Sequence, residues 1–352
     1  LALASLIAIA CSDSNDNDDG VLSQLDVRAL VETLAADEMN GRDNLTAGSL
    51  LAQEFLIGEL AKIADPVFPE RQGAEGYLQH YALGSNILAV VKGSELPEEY
   101  VMIGAHYDHH GNNCADITAD DNICNGAADN ATGVAAVIDI VRSIVADGVP
   151  RRSIIVTLWD GEEDGLVGAR HYAQNPVYPL EKTIAYVNFD IQGANLLPSL
   201  RESTILVGAE TGGKNLVAAS QAARNASTLD TLMLSLLYGQ GRSDHAVFAG
   251  VGVPSVFFTD ANNGCYHTVK DDIDGVDFPK LEQQIRTANA LTRDLVATDS
   301  VPVLNATAPV SVYSDAVELL RVVELAQTDL GLFPPDQQVA IAQFQLDLQV
   351  IV

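Results

Sequence analysis

The sequence predicts an α/β fold: an open, mixed and mostly parallel twisted sheet with helices on both faces. Short apolar runs bounded by Gly, Pro and acidic residues alternate with longer segments whose apolar residues recur at helical spacing. Strands that alternate with helices are typical of such sheets. Polar residues also follow several of the apolar runs directly, and sheets of this kind bind ligands at the carboxyl ends of their strands. The 352 residues, 47% of them hydrophobic, suffice for a large core.

The elements can be predicted in chain order. Two helical patterns, over residues 25–42 and 45–64, precede the sheet. Strands are predicted at 85–93, 100–108, 152–160, 183–191, 203–210, 232–239 and 254–260, with helices at 133–147, 214–226 and 279–298. A stretch rich in Pro and small residues near residue 300 predicts a linker, and two further helical patterns follow it at 314–330 and 335–352.

Three regions are therefore expected. Residues 1–20 resemble the end of a signal peptide, with a lipobox-like Cys11 and an acidic tether, because the apolar run is too short to span a bilayer. Residues 21–298 form the main domain, and residues 299–352 form the linker and C-terminal helices, which pack on that domain or on another subunit. We expect lipidation of Cys11 and a bacterial cell-envelope location, periplasmic or anchored in the outer membrane, with ordinary secretion as the alternative.

Charge restricts the partners. The chain has 19 basic and 48 acidic residues and a net charge of -29, which repels nucleic acid and anionic membranes. We therefore expect no nucleic-acid partner, and membrane contact only through an N-terminal lipid. The sequence does not predict an oligomeric state.

Export would permit disulfides, and three cysteines remain besides Cys11. Cys114 and Cys124 flank a short loop, so this pair is the expected disulfide. Pairing of Cys124 with Cys265 is the alternative.

Candidate chemistry gathers at the predicted strand ends. His106 and Asp108 lie at the end of the predicted strand 100–108. Glu162 and Glu163 follow the strand 152–160, and Asp190 lies at the end of the strand 183–191. A carboxylate two residues after a histidine can brace the ring nitrogen that does not bind metal. Taken alone, each of these short patterns is also typical of an ordinary solvated turn.

Two further segments complete the set. Asp129 and Asn130 stand directly before a predicted helix, where a simple N-cap is the alternative reading, and His267 lies near the end of the domain. Histidines with several carboxylates and no cysteine suit one or two divalent ions such as zinc. A carboxylate between two ions can bridge them at about 3.5–4 Å.

These motifs, in this order, closely resemble the M28 metallopeptidases, a family of bacterial leucyl aminopeptidases and glutamate carboxypeptidases. The resemblance covers roughly residues 21–298 and includes the "DEMNGR" stretch before the sheet. It implies the zinc-exopeptidase form of the predicted fold. The motifs read "AHYDHHG", "NGAADNATG", "DGEEDGLVGAR", "VNFDIQG", "SDHAVFAGVGVPSVFF" and "YHTVKDD".

The resemblance assigns roles by position. It implies a cis peptide between Asp129 and Asn130 and leaves His109 and His110 outside the ligand set. The implied metal ligands are His106 and Asp190 for one zinc, Glu163 and His267 for the other, and Asp129 as the bridge. The remaining roles are Glu162 as general base, Asp108 as the partner of His106, and Asp244, His245 and Tyr266 near the substrate.

The expected function is a zinc-dependent aminopeptidase that binds two Zn²⁺ per chain and releases N-terminal residues from peptides. In this reading Glu162 activates a hydroxide that bridges the metals. The alternatives are a carboxypeptidase of the same family, a glutaminyl cyclase with one zinc, and an inactive binding module. Cyclases resemble "DSAVPCA" where this chain reads "DNATGVAA", and inactive relatives have lost ligands that are present here.

Overall fold

The structure is a computed structural model that describes residues 26–308 and 311–352. Cys11 and the region 1–20 lie outside the described residues. The helices are α1 (Val27–Leu34), α2 (Ala47–Leu60), α3 (Thr132–Ala146), α4 (Val167–Gln174), α5 (Gly213–Ala223), α6 (His245–Gly250), α7 (Phe278–Ala297), α8 (Tyr313–Leu325) and α9 (Pro335–Ile351). The strands are β1 (Asp65–Pro66), β2 (Leu78–Tyr81), β3 (Gly84–Val91), β4 (Leu96–His106), β5 (Arg152–Trp159), β6 (Thr183–Phe189), β7 (Ser203–Val207), β8 (Asp230–Leu234) and β9 (Ser255–Thr259).

The strands form one mixed sheet in the order β1-β3-β5-β4-β6-β9-β7-β8, with β2 also paired to β3. Strands β5, β4, β6 and β9 run parallel to each other at its centre. Strands β3 and β7 join this group antiparallel, and β8 runs parallel to β7. The predicted α/β class and open sheet are therefore confirmed, with antiparallel pairs confined to the outer strands.

Each face of the sheet has its own apolar core, because strand side chains alternate between the faces. Val101 and Ile103 of β4 belong to the larger core, which includes residues of α1, α2, α3, α5 and α7. Tyr100 and Met102 of the same strand belong to the other core, where Trp159 packs with residues of α4 and α6. Helices therefore cover both faces, as the continuous apolar runs of the central strands predict.

The differences from the predicted elements lie at short or peripheral segments. The predicted first helix ends at Leu34, and a tight turn over Asp37–Arg42 follows it. Strand β8 ends at Leu234, earlier than predicted, because the amide and hydroxyl of Ser235 bond to Asp315.

The C-terminal helices are present, and α8 packs against β8 of the same chain. The Asp315 carboxylate is buried and accepts hydrogen bonds from the Ser235 amide and hydroxyl, both at 2.7 Å. Arg321 of α8 forms an ion pair with Asp230 at the start of β8. These contacts hold the helices to the sheet edge. Within the described residues, no helix combines the length and apolar character needed to cross a membrane.

Candidate metal centre

The register of the central strands brings the first site residues together. In the parallel pair of β4 and β5, His106 lies opposite Trp159, so the two strands end at the same level. The turn with Asp108 follows β4, and the turn with Glu162 and Glu163 follows β5. Strand β6 ends at Phe189, and Asp190 follows at the same edge. The His106 imidazole and the carboxylates that follow β5 and β6 therefore lie together at the carboxyl edge of the sheet.

Two other loops complete the cluster. Asp129 lies directly before α3, and the peptide bond between Asp129 and Asn130 is cis. His267 belongs to the loop after β9 and has a φ of 56°, a value that is uncommon for a residue other than glycine. The backbone amide of Ala115 donates to the His267 carbonyl oxygen at 2.8 Å. Ala115 follows Cys114, which is bonded to Cys124, so the disulfide loop supports the histidine.

Asp129 lies between two imidazoles. Its Oδ1 is 3.2 Å from His106 Nε2, and its Oδ2 is 3.3 Å from His267 Nε2. His106 Nε2 is also 3.3 Å from Asp190 Oδ1, while His267 Nε2 is 3.1 Å from Glu163 Oε2. Each oxygen of Asp129 thus faces a separate group of ligand atoms, as a bridging carboxylate requires.

These separations fit metal coordination. Ligand atoms about 2.0–2.1 Å from a tetrahedral ion are about 3.3 Å apart, close to the distances in both groups. Asp190 Oδ1 and His267 Nε2 are buried atoms without a hydrogen-bond partner among the described residues. Buried polar atoms are normally paired, so unpaired lone pairs that converge indicate a position for a cation.

Asp108 connects the two halves of the site. The Nδ1 atom of His106 lies 3.2 Å from the backbone oxygen of Asp108 and 3.6 Å from its carboxylate. The carboxylate oxygens accept the backbone amides of Glu162 at 3.1 Å and Glu163 at 3.2 Å. Asp108 therefore orients the His106 ring mainly through its carbonyl, while its carboxylate fixes the turn that carries both glutamates.

The two glutamates have opposite electrostatic environments. Burial raises the pKa of Glu162 well above its usual value, and the charge of Asp190 adds to this effect against the opposing influence of His106. Burial also acts on Glu163, but contacts with the imidazoles of His109, His110 and His267 hold its pKa well below the usual value. The arrangement separates a carboxyl group suited to proton transfer from a carboxylate suited to ligation.

The sequence of this chain matches known proteins. The model of peptidase family M28 matches residues 86–292, which is more than half of the chain. The chain belongs to peptidase family M28. It is 38% identical over 109 residues to a probable zinc metalloprotease of Pyrenophora tritici-repentis, a match that covers 31% of this chain and 24% of that protein. It is 35% identical over 115 residues to a probable glutamate carboxypeptidase of Zea mays, covering 31% of this chain and 14% of the relative.

Solved structures share the M28 fold. The LapA aminopeptidase of Legionella pneumophila aligns with a TM-score of 0.57 at 16% identity, covering 84% of this chain and 83% of that one. The glutaminyl cyclase of Porphyromonas gingivalis aligns with a TM-score of 0.61 at 16% identity, covering 78% and 99%. The matches with the two curated relatives span about a quarter of their length or less, so shared family does not define one activity.

The M28 family is zinc-dependent, and the residues present suit zinc. Two groups of ligand atoms converge within the described residues: one contains His106, Asp129 and Glu163, and the other contains His110, Glu163 and His267. Imidazole and carboxylate are ordinary zinc ligands. The chain thus belongs to a zinc-dependent family, and its donors fit that metal.

The adjacent histidines of the "HYDHH" segment contact Glu163, which the sequence did not indicate. His109 is buried, and its Nδ1 is 2.8 Å from Glu163 Oε1. His110 Nε2 is 3.1 Å from the other oxygen, Oε2. The resemblance leaves both residues outside the ligand set, and the structure places both against Glu163, one of the predicted ligands. The doubled imidazole in the motif is the only sequence signal for this contact.

A cleft of about 210 Å³ opens beside the cluster. Of the three residues expected near the substrate, Tyr266 lines this cleft, whereas Asp244 and His245 are fully buried. The His245 ring stacks on Phe257, and burial lowers its pKa to about 3. Asp244 and His245 therefore do not reach the surface of this cleft. The cleft is lined by Asp129, Glu162, Asp190, Ile191, Tyr238, Gly239, Gln240, Arg242, Phe257, Thr259, Ala261, Asn262 and Tyr266.

Two supporting residues were not found by sequence reasoning. Arg42 is fully buried and donates to the backbone oxygens of Tyr107 at 2.8 Å, Asn125 at 2.7 Å and Gly126 at 2.9 Å. The Asp271 carboxylate accepts the amides of Ala128 at 2.8 Å and Asp129 at 3.0 Å. The side chains of Arg42 and Asp271 thereby fix the segment that leads to Asp129.

Proposed function

We propose that this chain is an aminopeptidase that releases N-terminal residues from peptides, with two Zn²⁺ ions per chain and Glu162 as general base. The observation that carries the proposal is the position of Glu162. It is a largely buried carboxyl group with a raised pKa, and it lines the cleft next to the ligand cluster. A general base must reach the substrate while its pKa approaches the working pH.

The site residues would have separate roles as metal ligands, proton acceptor and positioning group. His106 and Asp190 would hold one ion, Glu163 and His267 the other, and Asp129 would contact both. Zinc bound by these residues supplies Lewis-acid polarisation of a water molecule and of the scissile carbonyl. Glu162 accepts a proton from the attacking water and donates it to the leaving amine. Asp108 keeps His106 and Glu162 at a fixed separation while this happens.

The acid excess of the chain supports an aminopeptidase. The whole chain has a net charge of -29. A positively charged amino terminus is attracted to such a field, whereas a free carboxylate is repelled.

Arg242 favours a second candidate, a carboxypeptidase of the same family. It lines the cleft, is exposed, and makes no ion pair with the residues that the structure describes. A guanidinium group binds carboxylates in a bidentate manner, so Arg242 could hold the C-terminus of a peptide.

A substrate panel separates the candidates. We expect hydrolysis of leucyl and other aminoacyl nitroanilides, loss of that activity in chelator, and loss of peptide cleavage when the amino terminus is acetylated. Cleavage of acetylated peptides that end in glutamate would instead support the carboxypeptidase. Cyclisation of an N-terminal glutaminyl peptide with one bound zinc would support the cyclase, and no turnover of any substrate would support a binding module.

Export is also part of the proposal. The disulfide between Cys114 and Cys124 supports an oxidising compartment, since disulfides rarely persist in the cytosol. We expect native protein to fractionate with the cell envelope through lipid on Cys11, and Cys11→Ser to shift it to the soluble fraction. An unchanged distribution would support secretion without an anchor.

A further inference from the structure

We infer that His110 is an additional metal ligand, so that two imidazoles and the Glu163 carboxylate hold the ion that His267 binds. The inference rests on the proposed zinc site and adds a protein ligand to one of its two positions. Three features of the structure carry it: the position of one ring nitrogen, the partner of the adjacent histidine, and the support of the turn that bears His110.

The Nε2 atom of His110 points at a ligand oxygen that another imidazole already faces. It is 3.1 Å from Glu163 Oε2, the same distance that separates that oxygen from His267 Nε2. The three atoms lie within 4.8 Å of each other. Ligand atoms around a tetrahedral zinc ion are about 3.3 Å apart, so the His110 nitrogen has the spacing of a ligand.

The contact between His110 and Glu163 does not have hydrogen-bond geometry. His110 Nε2 is buried, and it lacks a hydrogen-bond partner among the described residues, as does His267 Nε2. A nitrogen that served only to position the carboxylate would be expected to donate to it along the N–H direction. Two imidazole nitrogens that approach one oxygen without donating to it are instead placed as ligands of one cation.

His109 explains why this oxygen is available. Its Nδ1 is 2.8 Å from Oε1 of Glu163, and this contact has the hydrogen-bond geometry that the His110 contact lacks. His109 therefore occupies one carboxylate oxygen and orients the glutamate, while Oε2 remains directed toward His110 and His267. The adjacent histidines have different roles: His109 is a positioning residue and His110 is a ligand.

The turn that carries His110 is held from several sides. Gly111, with a φ of 61°, donates its amide to the Gly41 oxygen at 3.3 Å and accepts the Cys124 amide at 2.8 Å. The Asn113 amide donates to the His110 carbonyl at 2.8 Å. The imidazole thus stands on a fixed backbone, which reduces the cost of holding it at an ion.

Zinc affinity tests the inference without using enzymatic activity. His110→Gln keeps an amide that can hydrogen bond to Glu163 but removes a good zinc ligand, and His110→Leu removes both properties. We expect each variant to bind one of the two ions more than about 100-fold more weakly, because loss of an outer hydrogen-bond partner alone typically costs 10–100-fold. The measurement is bound zinc at equilibrium in buffers of graded free zinc, with circular dichroism to verify folding.

His80→Gln is the matched control. His80 is an exposed imidazole whose Nε2 lies 2.9 Å from Glu75 Oε2, so it makes a comparable histidine–glutamate contact away from the site. This variant should bind zinc as the unmodified chain does. Wild-type affinity in His110→Gln, or a loss below 100-fold in His110→Leu, would overturn the inference.

A direct observation decides between ligation and positioning. In protein loaded with ¹¹³Cd and labelled with ¹⁵N at histidine, a bound nitrogen shows scalar coupling to the metal. Coupling at His110 Nε2, assigned by its loss in His110→Gln, is the expected result, and its absence in metal-loaded protein overturns the inference. Coupling in a protein that hydrolyses no peptide would overturn only the proposed function. A wild-type chain that binds no metal would overturn both.

Discussion

At the scale of single residues, Glu162 and Glu163 show how adjacent identical side chains acquire different chemistry. The Asp108 carboxylate binds both of their backbone amides, so the turn presents the two side chains in fixed directions. Glu163 meets imidazoles, which lower its pKa, whereas burial raises the pKa of Glu162. Divergent pKa values within a pair are typical of separate acid–base and ligand roles.

Substitution of each glutamate should separate these roles. We expect Glu162→Gln to keep its zinc content and melting temperature while kcat falls by about 10²–10⁴-fold, the usual contribution of a general base. Glu163→Gln should instead lose zinc in mild chelator and recover some activity when zinc is added. The measurements are kcat, bound zinc and melting temperature for both variants.

Exposed Glu181→Gln is the control for this pair, and it should match the unmodified chain. If Glu162→Gln retained normal activity with normal zinc content, the assignment of the base would be wrong. If both variants stayed within about twofold of normal activity, the turn would be an ordinary surface turn.

Arg42 is the second residue whose contacts predict a measurable effect. Its guanidinium group donates to two segments beside the site, at Tyr107 and at Asn125 with Gly126, and Lys cannot reproduce this set of donors. We expect Arg42→Lys to lower the free energy of unfolding by about 1–3 kcal/mol for each buried carbonyl left without a donor. Zinc affinity should fall as well, because Gly126 and Asn125 precede Asp129, the proposed bridging ligand.

Urea unfolding at saturating and at depleted zinc measures both effects. Arg286→Lys is the control, because Arg286 is exposed on α7. Equal stability of Arg42→Lys and the unmodified chain would show that the guanidinium fork is not needed to hold these segments.

The sequence allowed prediction of those site residues that follow strand ends or precede a helix, because local pattern fixes their place in the fold. It could not indicate the roles of Arg42 and Asp271. Arg42 contacts Gly126 across 84 residues, and Asp271 contacts Ala128 across 143 residues, so their roles arise only when distant loops meet. His110 is similar: its neighbour in sequence is His109, but its partner is Glu163.

At the scale of elements, predictability follows the length of the apolar run. The central strands β4, β5 and β6 have 7 to 11 residues and were predicted, while β1 with two residues and β2 with four were not. The short helices α4 and α6, with 8 and 6 residues, were also missed. Such elements have too few residues for a periodic pattern, and their positions depend on the strands and helices that they contact.

The disulfide loop is an element whose removal should affect the metal centre. Ala115 bonds to the His267 carbonyl through its amide, and its own carbonyl accepts the Val269 amide at 3.2 Å. We expect the double variant Cys114→Ser, Cys124→Ser to lose about 2–4 kcal/mol of stability. Release of the His267 loop should also weaken zinc binding at the position that His267 serves.

Thermal unfolding and zinc titration of the double variant measure these effects. The control is Cys265→Ser, which changes the one cysteine in the described residues that forms no disulfide. Unchanged zinc affinity in the double variant would mean that the His267 loop keeps its conformation without the disulfide.

At the scale of the whole molecule, the acid excess makes metal binding part of stability. The chain has a net charge of -29, and buried Asp129 and Asp190 converge with the half-buried Glu163. Cations that bind only the folded state stabilise it, by about 2.7 kcal/mol when the free metal is at 100 times its dissociation constant. The carboxylates that repel each other in metal-free protein are the same groups that we propose as metal ligands.

We therefore expect chelator to lower the melting temperature and zinc to restore it. Magnesium should not restore it, because imidazole donors suit zinc and magnesium prefers oxygen ligands. Scanning calorimetry of chelated protein with each metal added in turn is the measurement. Equal recovery with magnesium would indicate that the cluster binds divalent cations by charge alone.

The irregular start of β4 has a consequence for how this chain tolerates insertions. Pairing with β5 shifts register between Leu96 and Tyr100, and from Tyr100 to His106 it continues without interruption. An extra residue before Tyr100 should be absorbed by the bulge, with zinc binding retained. The same residue placed between Tyr100 and His106 would advance the strand by about 3.3 Å and turn His106 toward the opposite face. The uninterrupted part of β4, from Tyr100 to His106, thus fixes the distance between the sheet and the metal centre. Insertions should therefore be tolerated before Tyr100 but not within this part of the strand.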